Sequence, residues 1–166
     1  MHTDGDLRKK IAKLIAESLT AGRQIFSVIV DYSLDLSHMM DLGSYTHRCL
    51  DTAAFDIKLR GRGKVPVVIE LFPFSRSVSP REAVCRMRRV GYRPARAEEL
   101  LALGALPGFN PRATVVALGT TWLFAERERV ANIYRDAGRL SVGPIWVDKL
   151  QEFEVLYAAV RISPAS

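Results

Sequence analysis

The densest chemistry in the 166-residue chain is REAVCRMRRVGYRPAR, residues 81–96, where six arginines stand against one glutamate. Guanidiniums at that density can hold phosphate oxygens without reading a base sequence, because the contact needs only charge. Arg81, Arg86, Arg88, Arg89, Arg93 and Arg96 are therefore candidate nucleic-acid contacts. The spacing favours a plainer reading. On a helix over 80–90, Ala83, Val84, Met87 and Val90 share the face that must be buried, and the arginines diverge over the rest. A groove-reading helix needs side chains that converge on base edges. A single-strand binder needs interleaved rings, and Tyr92 is the only ring in the stretch. A solvated helix back is the stronger reading, with Glu98 and Glu99 on the next helix able to neutralise part of the charge.

A second concentration lies in TTWLFAERERVANIYRDAGRLSVGPIWVDKL, residues 120–150. Tryptophan and arginine are favoured at binding hot spots. Trp122, Arg127, Arg129, Tyr134, Arg135, Asp136, Arg139, Trp146 and Asp148 are accordingly the candidate ligand-binding residues. Both tryptophans adjoin apolar strand residues, so a core position is the competing reading for each.

Other chemistry-bearing residues do not assemble. His47 and Cys49 are two apart, without a second pair to complete a zinc site and without the orienting third group that a Cys/His nucleophile needs. GRGK (61–64) lacks the rest of a phosphate loop and reads as a hairpin turn. Glu126 and Glu128 alternate with Arg127 and Arg129, as on a solvated strand edge. His38, beside Met39 and Met40, reads as structural, and Asp31, Asp35 and Asp41 form no metal loop. No catalytic residue, metal or cofactor is expected, and an enzymatic role has no named residues behind it.

The elements that must carry these groups follow from composition and pattern. Hydrophobic residues are 48% and charged residues 25%, as in a globular domain. Of the net charge of +6, residues 81–96 supply five, so the basic character is local. No apolar run is long enough to span a bilayer, and MHTDGDLRKK lacks a secretory pattern. A cytoplasmic location without a membrane partner is expected. Cys49 and Cys85 are expected as free thiols. The pattern predicts an N-terminal helix within residues 1–24 and a single domain over 25–166. Strands fall at 25–32, 55–60, 64–74, 113–119, 121–124, 128–135, 139–147 and 153–162, and helices at 33–43, 79–90 and 95–103. Ser79, Pro80 and Glu82 form a strong helix start. The fold class is α+β, a mostly antiparallel sheet with three to four helices.

GYRPARAEELLALG followed by ATVVALGTTW, with VDYSLDLSHMMDLGSY (30–45) upstream, resembles a family of short bacterial proteins of unknown function. Its members read R-P-A-T-x-x-E-L-L-A-F-G and then I-V-A-L-G-S-x-W, and the similarity covers roughly residues 25–162. Arg96 stands where that family has threonine, which removes an N-cap hydroxyl. A weaker resemblance links Tyr92-Arg93-Pro94, Trp122, Trp146 and YAAVRI (157–162) to the C-type-lectin-like fold of formylglycine-generating enzymes and of diversity-generating retroelement variable proteins. The enzymes' C-terminal cysteines have no counterpart here, and Ala159-Val160-Arg161 replaces the usual glycine-phenylalanine-arginine. That resemblance implies neighbouring N- and C-terminal strands and a loop-rich ligand-display face over 120–150. The function expected is a non-enzymatic binding module, with nucleic-acid binding through residues 81–96 as the alternative.

Overall fold

The computed structural model describes residues 5–10, 24–50 and 63–163. Residues 5–10 are helical (α1) and exposed; the rest of the expected N-terminal helix and the strand arm at 55–60 lie outside the described residues. β1 (Gln24–Asp31) pairs antiparallel with β2 (Lys64–Phe72) from Gln24↔Leu71 to Asp31↔Lys64. The chain continues through α2 (Leu36–Leu42), α3 (Pro80–Arg89), β3 (Tyr92–Pro94), α4 (Ala97–Gly104), β4 (Thr114–Phe124), β5 (Arg127–Asp136) and β6 (Arg139–Trp146). A 3-10 helix (Val147–Glu152) leads into β7 (Val155–Arg161). The seven strands form one sheet in the order β1-β2-β7-β4-β5-β6, with β3 also on β7. The expected α+β, mostly antiparallel fold is thus what the chain adopts. The exception is β4, which runs parallel to β7.

β7 explains the two-sided core. Its side chains alternate between the faces of the sheet. Leu156, Ala158 and Val160 join the cluster under α4, and Val155, Tyr157 and Ala159 join the cluster under α3. A central strand covered on both faces reads as a continuous apolar run rather than as an alternating one. α4 contributes Leu100, Leu101 and Leu103 to the first cluster, and α2 adds Leu36, Met39 and Met40. Ala83 and Met87 of α3 fill the second, but Val84 is half-buried and Val90 is 58% exposed. The helix is buried along a narrower stripe than its spacing suggested, and Val90 lies at its C-cap, followed by Gly91 with a φ of +85°.

Three local devices differ from the sequence reading. Asp35, not Ser33, caps α2, accepting from the His38 N–H at 2.8 Å. The two strands expected at 113–119 and 121–124 are one strand with an irregularity between Ala117 and Thr121. There the Gly119 N–H donates to the Ala95 carbonyl at 2.7 Å, and a Cβ on Gly119 would lie 2.6 Å from the carbonyl oxygens of Pro94 and Ala95. The irregularity admits the β3–α4 connection, and only glycine fits it. The missing cap at Arg96 is replaced from outside: the Thr120 hydroxyl accepts the Ala97 N–H at 3.0 Å, and the Glu99 carboxylate accepts the Arg96 N–H at 2.8 Å.

β2 lies between β1 and β7, so the first and last described strands are not neighbours. Residues 120–150 are strands and a 3-10 helix joined by tight turns, not the loop-rich face implied by the lectin-like resemblance. No helix of the described residues is long and apolar enough to cross a membrane.

Candidate functional site

The nine candidate residues of 120–150 divide between two ends of the sheet. In register, Trp122 of β4 faces Arg129 of β5, which faces Trp146 of β6, and Phe124 faces Arg127. Directly opposed residues share a sheet face, so these side chains form one platform. The Arg127 guanidinium lies 4.0 Å from the Trp146 ring centroid. That of Arg129 lies 4.2 Å from both the Trp146 and Phe124 rings. Arg127 also makes a bidentate pair with Asp148, Nη2–Oδ1 2.7 Å and Nε–Oδ2 3.1 Å. These bonds keep the Asp148 carboxyl below the usual carboxylate range and raise Arg127. Arg129 has no carboxylate partner among the described residues. Trp122 packs at the edge of the core, while Phe124 and its neighbour Leu123 are 49% and 73% exposed.

The turn that holds this platform is strained. Ala125 and Glu126 have φ of 50° and 64°, the mirror-image geometry of a two-residue hairpin. Asparagine and glycine adopt that conformation readily, whereas alanine and glutamate are disfavoured there.

Tyr134, Arg135, Asp136 and Arg139 sit at the opposite hairpin. Six residues separate Arg129 from Arg135, about 20 Å along a strand, so the two groups cannot serve one small ligand. Asp136 meets His47, Oδ2–Nε2 3.3 Å. Arg139 lines a cleft of about 910 Å³ with Tyr45, Gly104 and Phe109. Burial pushes the Tyr45 hydroxyl well above its ordinary range, and it donates to the Leu101 carbonyl at 3.1 Å.

The arginine run also divides. Arg86 is paired with Glu82 on α3, Nε–Oε1 3.2 Å. Arg93 makes a bidentate pair with Glu99, at 2.8 and 2.7 Å, and Glu99 is fully buried. Glu98 is 1% exposed, its Oε2 has no hydrogen-bond partner among the described residues, and burial raises its carboxyl above the usual range. It borders a small cavity of about 80 Å³ between β1, α2 and α4. Arg81, Arg88 and Arg89 remain exposed without ion pairs among the described residues, and Arg96 is half-buried.

Sequence reasoning placed Glu98 and Glu99 on a charged surface. The signal it lacked was that α4 is buried all round from Ala97 to Leu101, so that neither glutamate reaches the surface. Cys49 and Cys85 are free and exposed. No cluster of three metal-ligating side chains occurs among the described residues. No protein-family model, curated protein or solved structure matches the chain.

Proposed function

We propose that this chain is a binding module whose contact surface is the β4–β5 hairpin, and that its ligand is an acidic, apolar segment of a protein partner. The observation that carries this reading is Arg129. Its cation stacks on two partly exposed rings, Phe124 and Trp146, and has no carboxylate partner among the described residues. A desolvated carboxylate would satisfy the guanidinium, and an apolar neighbour would cover the rings. The reading keeps the binding role and the region expected from the sequence but moves the face from loops to a sheet surface. Membership of the short bacterial family, with its unassigned activity, remains compatible with it.

Peptide display tests this. Selection on the wild type, with the Phe124→Ser/Arg129→Gln protein as negative selector, should enrich peptides that combine acidic and apolar residues. Equal enrichment on both proteins would overturn the reading. A second reading rests on Arg81, Arg88 and Arg89, three exposed cations on α3 that could contact phosphates. It predicts salt-sensitive retention of single-stranded DNA that Arg81→Glu/Arg88→Glu/Arg89→Glu abolishes, and no retention at low salt would exclude it.

A further inference from the structure

The sheet has two outer edges, and the chain treats them differently. Beyond β6, residues 46–50 run alongside. The Thr46 N–H donates to the Leu140 carbonyl at 2.9 Å, and the Cys49 N–H to the Val142 carbonyl at 2.9 Å. Arg48 bridges Val142 in parallel. Pro144, which has no N–H to offer, blunts the remainder of that edge. β1 forms the other edge, and no strand among the described residues pairs with its outer side. Natural proteins guard such an edge with lysine, proline, a bulge or a short strand. β1 has none of these: QIFSVIVD is 8 residues long, and its register with β2 runs unbroken from Gln24 to Asp31.

The hydrogen-bond phase shows what the open side offers. The Tyr32 N–H donates to the Gly63 carbonyl at 2.8 Å, one step beyond the Asp31↔Lys64 pair. Backbone groups point to alternate sides along an antiparallel strand, so the even-numbered residues of β1 bond to β2. Ile25, Ser27, Ile29 and Asp31 therefore turn N–H and C=O outward. Apolar side chains gather at the same place. Ile29 is 66% exposed, and Leu42 of α2, 65% exposed, borders the same small cavity beside the edge.

The sequence of this edge is nearly its own reverse. Ile25-Phe26-Ser27-Val28-Ile29 has the same apolar pattern from either end. An antiparallel copy centred on Ser27 sets Ile25 opposite Ile29, Phe26 opposite Val28, and Ser27 opposite itself. Odd positions meet odd and even meet even, so every side chain stays on its own face of the sheet. Exposed Ile29 gains an isoleucine, and Phe26 meets Val28 on the face that carries the core. The outward pairs supply about six backbone hydrogen bonds. Charge fits as well. Asp31 is the only charged residue of β1, and its counterpart in this register is position 23, an arginine in the sequence. A two-fold contact of this kind closes the open edge of both copies, and the covered edge beyond β6 stops further addition.

We infer that β1 is the contact surface for a second copy of this chain, paired antiparallel about a two-fold axis at Ser27 into one continuous sheet. β2 and β7 separate β1 from the β4–β5 hairpin, so this contact is independent of the proposed hairpin surface.

Sedimentation equilibrium of the full chain should show twice the monomer mass as concentration is raised. Ser27 is exposed in the single chain, and Ser27→Lys sets two like charges opposite each other at the axis. It should weaken the dimer at least about fivefold and leave the circular dichroism spectrum unchanged. Register is read by cross-linking in a Cys49→Ser/Cys85→Ser background, which removes both exposed native thiols. Ser27→Cys brings the two cysteine Cα atoms to about 5.5 Å, within disulfide reach, whereas Ile29→Cys leaves them about 14 Å apart. Dioxygen, with copper phenanthroline as catalyst, takes up the two electrons and two protons that each new disulfide releases. Cross-linked dimer should form at least about tenfold faster from Ser27→Cys than from Ile29→Cys. A monomer at every concentration, a dimer untouched by Ser27→Lys, or equal cross-linking at 27 and 29 would overturn the inference.

Discussion

Two arginines in this chain grip a carboxylate with both arms, and their surroundings make them different objects. Arg93 holds Glu99, which is 0% exposed, at the start of α4. Arg127 holds Asp148 at the sheet surface, where both side chains are about half exposed. The Coulombic partners are alike, but the carboxylate of the first pair is desolvated and the second pair is bathed in water. Removing one member of a buried pair leaves an uncompensated charge, whereas an exposed pair adds little to stability because water screens it. Arg93, one of the six arginines of the basic run, is therefore part of the scaffold. Arg127, in the second concentration of chemistry-bearing residues, stays at the solvent-facing surface of the sheet.

The sharpest break in this comparison is Arg93→Ala, expected to cost about 3–5 kcal/mol in urea unfolding because Glu99 is stranded. Arg93→Lys should recover only part of that loss, since an ammonium cannot reproduce the bidentate geometry. Loss of less than about 1 kcal/mol would place Glu99 in contact with water after all.

Glu98 extends the contrast to pH. Burial raises its carboxyl above 4.5, the ordinary value, so the folded chain retains a proton that the unfolded chain releases. The resulting stability is fully present below the ordinary value and is lost as pH rises through the raised one. Glu98→Gln should unfold at a higher temperature than wild type at pH 7 and at nearly the same temperature at pH 4. Parallel pH profiles for the two proteins would refute this.

Smaller effects separate the caps and turns. Thr120→Val should cost about 1 kcal/mol, the value of a helix N-cap, although Thr120 lies on a strand. Replacing Ala125-Glu126 with Asn-Gly should stabilise the hairpin by about 1 kcal/mol through relief of left-handed strain. At the foot of the scale, Arg127→Ala should leave the unfolding midpoint unchanged.

These magnitudes also show what could be read from the sequence. Fold class and most strands were legible because period-two alternation and turn residues are local signals, and Ser79-Pro80 marked the start of α3. The parallel β4–β7 pair was not, since pairing between strands far apart in sequence leaves no local trace. Likewise, Thr120 capping α4 joins residues 23 apart. Of the nine site candidates, Trp122, Arg127, Arg129, Trp146 and Asp148 lie together, because alternation along the strands puts 122, 127, 129 and 146 on one face. Tyr134, Arg135, Asp136 and Arg139 were grouped with them only because they are close in sequence. A strand carries such residues about 20 Å away.

The most direct test of the hairpin as a contact surface is titration calorimetry of one acidic, apolar peptide obtained by display. Wild type would be compared with Arg129→Gln, a substitution at a site with no ion pair among the described residues. The variant should bind at least about tenfold more weakly while its unfolding midpoint stays unchanged. Equal affinity for the two proteins would contradict the central claim.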